Sequence, residues 1–291
     1  MATMRELKGR INSVHSSQKI TGAMKMISSA RLRKAENRLL QAIPYRQQLW
    51  NIYGHIEKSD CDYRSPLSED RKVKGVAVVI YASEDGLCGA FNINLFKKLS
   101  ETVRRYQASG IASITVYPIG RKIMHDVGRL PGVRIVEHTE LFERKDYVQA
   151  TRMLTDELTE GFLKGAYDRV EVVYATYKSI AVQTMNSRQF LPVIPETEEK
   201  SKDEVEEREA WYIYEPHCEG VLELLYPLML HSLMYEMLLE NQASEQGARI
   251  MAMQFANDNA MKLLGELQLE YNKLRQQGIT TELLDIAGGK Q

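Results

Sequence analysis

Apolar residues return every three or four positions over two stretches at opposite ends of the chain, each far longer than a globular helix requires. The first runs Met4, Leu7, Ile11, Val14, then Leu32, Ala35, Leu39, Ala42, Leu49, Tyr53, Ile56. The second runs Leu225, Leu228, Tyr235, Leu239, Met253, Ala256, Ala260, Leu263, Leu267, Leu274. This heptad spacing marks long helices with a narrow packing seam. Helices over 1–58 and 219–286 extend roughly 80 and 100 Å at about 1.5 Å per residue. No compact domain can bury such stripes, so the helices must bury them on each other. Because the intervening chain ties the end of one to the start of the other, the pairing is antiparallel.

Details of the stripes refine this reading. Pro44 costs a helix interior about 3 kcal/mol, which predicts a kink or brief interruption near Ile43. Pro227 is expected in the first turns of the second helix, where proline is tolerated. Both seams turn polar at mid-length, at Gln18, Thr21, Lys25 and Ser28 and at Gln242, Gln246 and Arg249. With Ile56 opposite Glu219, residues 18–28 face 247–257, and the two polar bands lie near each other. Polar seams fix register and lower stability, so leucine at Gln18, Lys25, Gln246 and Arg249 is expected to raise the melting temperature. The same count leaves the last dozen or so residues projecting unpaired by roughly 20 Å. That tip carries Ile279, Leu283, Leu284 and Ile286, an apolar surface that needs a sleeve of partners.

Residues 73–195 change period. Short apolar runs at 76–81, 111–117, 133–136, 170–175 and 181–184 read as strands, and 92–109, 121–127 and 147–163 as helices. The alternation implies an α/β class: a mostly parallel Rossmann-like domain inserted between the arms of a long antiparallel coiled coil. An acidic run at 196–210 reads as a solvated loop, followed by a short segment, 211–218, before the second long helix.

Charge and composition exclude several functions. The 291 residues are 44% apolar, enough to bury a core. Lys and Arg number 38 against 39 Asp and Glu, which is not the balance of a dedicated nucleic-acid binder. The first helix is locally basic, with Arg5, Lys8, Arg10, Lys19, Lys25, Arg31, Arg33, Lys34 and Arg38 against Glu6 and Glu36. These cations surround the rod and no aromatics interleave them, so a groove-reading helix is not expected. Cys61, Cys88 and Cys218 are scattered with no CxxC pair, which fits a reducing compartment. No apolar run approaches the roughly 18 residues of a membrane span, and no signal segment opens the chain. The expectation is a cytoplasmic, bacterial-type product.

No catalytic set emerges. Gly86-Leu-Cys-Gly89 lacks the spacing of a dinucleotide fingerprint or phosphate loop and reads as a tight turn packing against a partner. Cys88 has no neighbouring His, and the six histidines lack metal spacing. No cofactor or metal is expected. The rival readings are a free-standing α/β enzyme with helical arms and a static coiled-coil scaffold.

Five segments carry a family resemblance. They are Leu7-Lys-Gly-Arg-Ile-Asn-Ser-Val-His-Ser-Ser-Gln-Lys-Ile-Thr-Gly-Ala-Met-Lys-Met-Ile-Ser-Ser-Ala-Arg-Leu-Arg-Lys-Ala35, Ser83-Glu-Asp-Gly-Leu-Cys-Gly-Ala-Phe-Asn92, Tyr212-Ile-Tyr-Glu-Pro216, Ala243-Ser-Glu-Gln-Gly-Ala-Arg-Ile-Met-Ala-Met253 with Asn257-Asp-Asn-Ala260, and Tyr271-Asn-Lys-Leu-Arg-Gln-Gln-Gly-Ile-Thr-Thr-Glu-Leu283. Together they resemble the gamma subunits of bacterial F-type ATP synthases, in order and along essentially the whole chain. The resemblance implies a non-catalytic central-stalk rotor inside a ring of three alpha and three beta subunits. It also implies an epsilon subunit beside the globular domain, a proton-driven c-ring below it, and a place at the cytoplasmic face of the bacterial inner membrane, reached only through the c-ring. By position, Met24, Arg275, Gln276 and Thr280 match residues that contact a beta subunit, and Tyr212, Tyr214 and Glu215 match those that contact the c-ring. Gly22, Asp85 and Gln246 depart from the family pattern, which more often has a basic residue, a basic residue and His there.

Overall fold

The computed structural model describes residues 3–57, 63, 65–138, 142, 146–194, 214, 215 and 217–289. Helix α1 (Met4–Glu57) opens on a reciprocal cap: Thr3 N–H donates to the Glu6 carboxylate at 2.8 Å, and Glu6 N–H donates to Thr3 Oγ1 at 3.3 Å. Two of the orphan amides of the first turn are satisfied this way. Helix α5 (Cys218–Gly288) has 71 residues and extends about 105 Å. The two helices lie antiparallel. The Tyr53 and Tyr226 rings meet edge to face at 5.7 Å, and Lys25 Nζ donates to Gln254 Oε1 at 2.5 Å.

Two expectations are corrected here and one is refined. First, of the kink or interruption expected near Ile43 the interruption is absent, since α1 runs unbroken through Pro44. Pro44 and Leu40, whose carbonyl loses its usual donor, both face water, so hydration replaces the missing bond. Second, Pro227 lies inside α5, beyond its first turns, again on an exposed face with Glu223 four residues before it. Third, the counted pairing of 18–28 with 247–257 holds, with Lys25 reaching Gln254, one turn beyond its counted opposite Ile250. Leu32 and Ala35 of α1, not the α1 polar band, cluster with Ala243 and Ile250.

Between the long helices lies a five-stranded sheet in the order β3-β2-β1-β4-β5. The strands are β1 (Gly75–Tyr81), β2 (Ser113–Ile119), β3 (Arg134–Ile135), β4 (Arg169–Tyr177) and β5 (Gln183–Leu191). The β1–β2, β2–β3 and β1–β4 pairs are parallel; only edge strand β5 runs antiparallel, to β4. β5 extends well past the 181–184 read from the sequence. Its Gln, Asn, Ser and Arg side chains are half-buried, so it lacks the apolar run that marks the other strands.

Alternation along central strand β1 builds two cores. Val76, Val78 and Ile80 pack on one face with Phe91, Leu95, Leu99 and Val103 of α2 (Phe91–Ala108) and Ile123 and Val127 of α3 (Arg121–Val127). Ala77, Val79 and Tyr81 pack on the other with Leu154, Leu158 and Phe162 of α4 (Tyr147–Leu163). This second core also takes in Leu49, Tyr53 and Ile56 of α1 and the α5 residues from Leu222 to Leu238. The base of the coiled coil is thus part of the helical layer covering the sheet. That explains why α5 near its start is apolar on more than one stripe, and why Leu228, expected in the seam, is 44% exposed. Cys88 is a buried free thiol and Cys218 is disulfide-bonded, a bond that the scattered cysteine pattern did not reveal.

Candidate partner-binding surfaces

Polar side chains of α5 fasten the rod to the main chain of the α/β domain. Asn241 Oδ1 accepts from Ala175 N at 3.1 Å, and Ser244 Oγ donates to the Ala175 carbonyl at 3.0 Å. Arg249 Nη2 donates to the Asp85 carbonyl at 3.0 Å and pairs with Glu245 at 2.7 Å. Burial holds the Glu245 carboxyl above its ordinary range, and Arg249 pulls it back. From α1, Glu36 accepts from the Tyr177 hydroxyl at 2.7 Å. Directional bonds of this kind resist sliding and rotation, whereas an apolar contact alone can slip. The sequence reading placed Arg249 and Gln246 in a coiled-coil seam and missed this joint. Its acceptors are backbone carbonyls, which no side-chain pattern reports.

The Gly86–Gly89 turn belongs to the same joint. Leu87 has φ 65° and Gly89 φ 62°, and a Cβ on Gly89 would lie 3.6 Å from the Ala252 Cβ of α5. The turn therefore packs on the chain's own helix. A departure from the family pattern also finds its place here, since Asp85 contributes a backbone carbonyl, which any residue supplies.

The residues singled out from the sequence fall into three separate places. Met24 is half-buried in the rod, one residue from Lys25 and hence level with Gln254. Arg275, Gln276 and Thr280 lie about 30 Å further along α5. All three are exposed, and the Thr280 hydroxyl donates back to the Gln276 carbonyl at 2.9 Å. Met24 and this trio therefore occupy different heights on the rod. Tyr214 is partly buried against the main core and Glu215 is exposed, both just before the start of α5 at its far end. Tyr212 lies outside the described residues, as do the acidic stretch 196–210 and residues 211, 213 and 216.

Residues 275–289 are exposed throughout, including Leu284 at 66% and Ile286 at 73%. Leu7 of α1, fully buried, is the last residue of its helix to be covered before this tip begins. Further down the rod, Ile20, Met26 and Ile27 of α1 and Phe255, Met261 and Leu269 of α5 also present apolar side chains to solvent. A surface this apolar over this length is characteristic of a rod held within other proteins. Among the described residues no group of three or more His, Cys, Asp or Glu is placed to hold a metal ion, and no helix is long and apolar enough to cross a membrane.

The family model described as ATP synthase matches residues 3–291. The ATP synthase gamma chain of Parabacteroides distasonis is 40% identical over 289 residues, covering 99% of this chain and 98% of that protein. This chain belongs to the ATP synthase gamma chain family. The gamma chain of Bacteroides thetaiotaomicron is likewise 40% identical, over 296 residues and 99% of both chains. Among solved structures, a chain from the OSCP/F1/c-ring of Euglena gracilis mitochondrial ATP synthase in rotational state 3 aligns with a TM-score of 0.64 at 22% identity. That alignment covers 98% of this chain and 93% of the Euglena one. A chain of the rotor of the same enzyme in rotational state 1 aligns with a TM-score of 0.59 at 21% identity, covering 95% and 98%. These structural matches show the fold: two long helices around a largely parallel α/β domain.

Proposed function

We propose that this gamma chain is the central rotor shaft of a proton-translocating F-type ATP synthase, coupling c-ring rotation to ATP synthesis or hydrolysis at the beta subunits. It has no active site of its own. The observation that carries this reading is the exposed apolar tip, 275–289, projecting about 20 Å beyond the paired rod at the end remote from the α/β domain. Such a tip calls for a ring of three alpha and three beta subunits around it. In the proposal Arg275, Gln276, Thr280 and, lower on the rod, Met24 contact a beta subunit. Tyr212, Tyr214 and Glu215 contact the c-ring loops from the segment 211–218, and epsilon lies against the domain 73–195. The chain meets the bacterial inner membrane only through the c-ring, on its cytoplasmic face.

Coupling follows from asymmetry. Two unequal helices, one ending before the other, present a different surface to each of three surrounding catalytic subunits. Each rotational position then favours a different conformation at each site, which is differential contact energy converted into a change of affinity. The bonds from α5 and α1 to Ala175, Asp85 and Tyr177 give the domain its grip on the rod. The test is co-expression with alpha and beta subunits, followed by single-molecule rotation. The full chain should copurify with both, and a chain lacking 275–291 should deliver reduced torque while its α/β domain keeps its melting transition. Failure to copurify, or undiminished torque after the deletion, would overturn the proposal.

A further inference from the structure

Arg31, Lys34 and Arg38 stand on one face of α1, three and four residues apart. They border a crevice of about 400 Å³ between α1, α5 and the α/β domain. Its floor is formed by Tyr81 and Ile119, the last residues of β1 and β2, and by the loop that follows β1. From β1 the chain crosses to β2 on one side and β4 comes to lie on the other. An open sheet with such a reversal leaves a hollow at the carboxyl ends of its strands, where α/β folds take ligands. Helix α5 fills the β4 half of that hollow through Asn241 and Ser244. The β1 half stays open, at a volume within the ordinary range of small-molecule sites, about 300–1,000 Å³.

Two buried polar atoms that line this space have no hydrogen-bond partner: Tyr81 Oη, on a residue 1% exposed, and Gln246 Oε1, on a residue 8% exposed. Buried polar groups are nearly always satisfied, so an orphaned hydroxyl on a polar cavity marks the place of a missing partner. The charges around it are unequal in availability. Glu245 is held by Arg249 at 2.7 Å and Glu84 by Arg121 at 3.0 Å. Arg31, Lys34 and Arg38 have no carboxylate within ion-pair distance among the described residues. Burial, Glu245 and Glu84 raise the Tyr147 hydroxyl at the edge of the same crevice, and Arg38 and Arg31 oppose them. Asp85 also lines the crevice with no cation within ion-pair distance among the described residues, so the unpaired charge there is three cations against one carboxylate, and two of the three cations are guanidinium forks, which match tetrahedral oxyanions.

We propose that this crevice binds a small phosphate-bearing anion, with Arg31, Lys34 and Arg38 neutralising it at the mouth and the Tyr81 hydroxyl donating to it at the floor. A bound anion would bridge α1 to the carboxyl edge of the sheet and stiffen the joint between rod and domain. Inorganic phosphate, pyrophosphate and ADP share the chemistry and are separated by the test.

Isothermal titration of the full chain with each of the three, at matched ionic strength, reads affinity; melting curves read the accompanying stabilisation. One-to-one saturable binding is expected for at least one. Pyrophosphate tighter than ADP identifies a bare-phosphate site, and the reverse identifies a nucleotide site. Arg31→Gln with Arg38→Gln should weaken that binding about tenfold or more. Tyr81→Phe should weaken it about threefold while leaving the ligand-free melting temperature within about 2 °C. Arg5→Gln with Arg10→Gln removes equal charge from the same helix and should change affinity less than twofold. The proposal is overturned by the absence of one-to-one binding of all three anions, or by equal weakening in the two double-arginine variants, which would mean diffuse attraction to a basic rod. Because the arginine variants alter only exposed or half-exposed side chains, they keep the test decisive even if Tyr81→Phe fails to fold.

Discussion

Replacing Arg249 by methionine discriminates between two physical readings of the polar positions in α5. If Arg249 were simply a polar interruption in a coiled-coil seam, an apolar side chain of similar length would stabilise the rod. The structure predicts the opposite. Side chains of Arg249 and Glu245 are only 4% and 13% exposed, and they pair at 2.7 Å. Removing one partner of a buried pair leaves an uncompensated charge and costs about 3–5 kcal/mol. Asp85 is exposed and its carbonyl can turn to water, so the lower end, about 3 kcal/mol, applies. In melting temperature that is a fall of about 6–12 °C. The loss also depends on pH, with a definite sign. Burial already raises the Glu245 carboxyl from its ordinary 4.5, and Arg249 opposes that shift. Without Arg249 the folded state holds the Glu245 proton to still higher pH than the unfolded chain does. Stability of the variant should therefore fall as pH rises through that widened window, and the deficit should shrink as pH approaches the ordinary glutamate value. Urea denaturation at several pH values measures this directly. Adding Glu245→Gln should recover at least half of the loss at neutral pH. A variant as stable as the parent at pH 7.5, or a deficit unchanged down to pH 4.5, would refute the reasoning.

Other positions give simpler expectations. Gly22 is helical and a Cβ there meets nothing within 4 Å, so Gly22→Ala should stabilise by about 0.4–1 kcal/mol in urea titration. Leu7 is fully buried, so Leu7→Ala should cost about 2–5 kcal/mol in local opening, read as faster amide exchange in the N-terminal turns and in α5 near Leu267. Burial and the neighbouring Glu236 raise the Glu240 carboxyl, so ionising it subtracts stability as pH rises from the ordinary glutamate range through the raised value. Glu240→Gln should accordingly stabilise the chain at pH 8 and make little difference at pH 4, by urea midpoints.

The large architecture was legible because it is written in repeated side chains. Leu32, Ala35, Leu49, Tyr53 and Ile56 all proved buried where the stripe placed them, and Val76–Tyr81 proved a central strand. What escaped the sequence depends on main chain or on context. The fine register, with Lys25 on Gln254 and Asn241 on Ala175 of β4, rests on side-chain and main-chain bonds that heptad spacing does not encode. Strand β5 is polar through its middle because it is an edge, so residues 186–189 carried no apolar signal, although it ends on the buried Phe190 and Leu191. Glu171 illustrates the same limit. It sits buried in β4 and is satisfied by Arg105 at 2.6 Å, Ser187 at 2.6 Å and Tyr106, from two other elements. A lone Glu in an apolar run gives no hint of that. Of the residues carried over by resemblance, the structure gives heights for Met24, Arg275, Gln276, Thr280, Tyr214 and Glu215.

The body that joins Glu57 to Cys218 also dictates the order in which the molecule can assemble. Pairing the long helices before that body forms would enclose all of residues 58–217 as a loose loop, at an entropic cost of about 4–5 kcal/mol that closing a few residues at a time avoids. Once the sheet is folded, with Tyr53 and Tyr226 already in contact, each further turn of pairing closes only a few residues. The rod should therefore zip outward, from Tyr226 past Ala243 and Gln254 to Leu267, as a series of short local steps. Amide exchange along α5 would record that history as a gradient, slowest beside the sheet and fastest at Ile286.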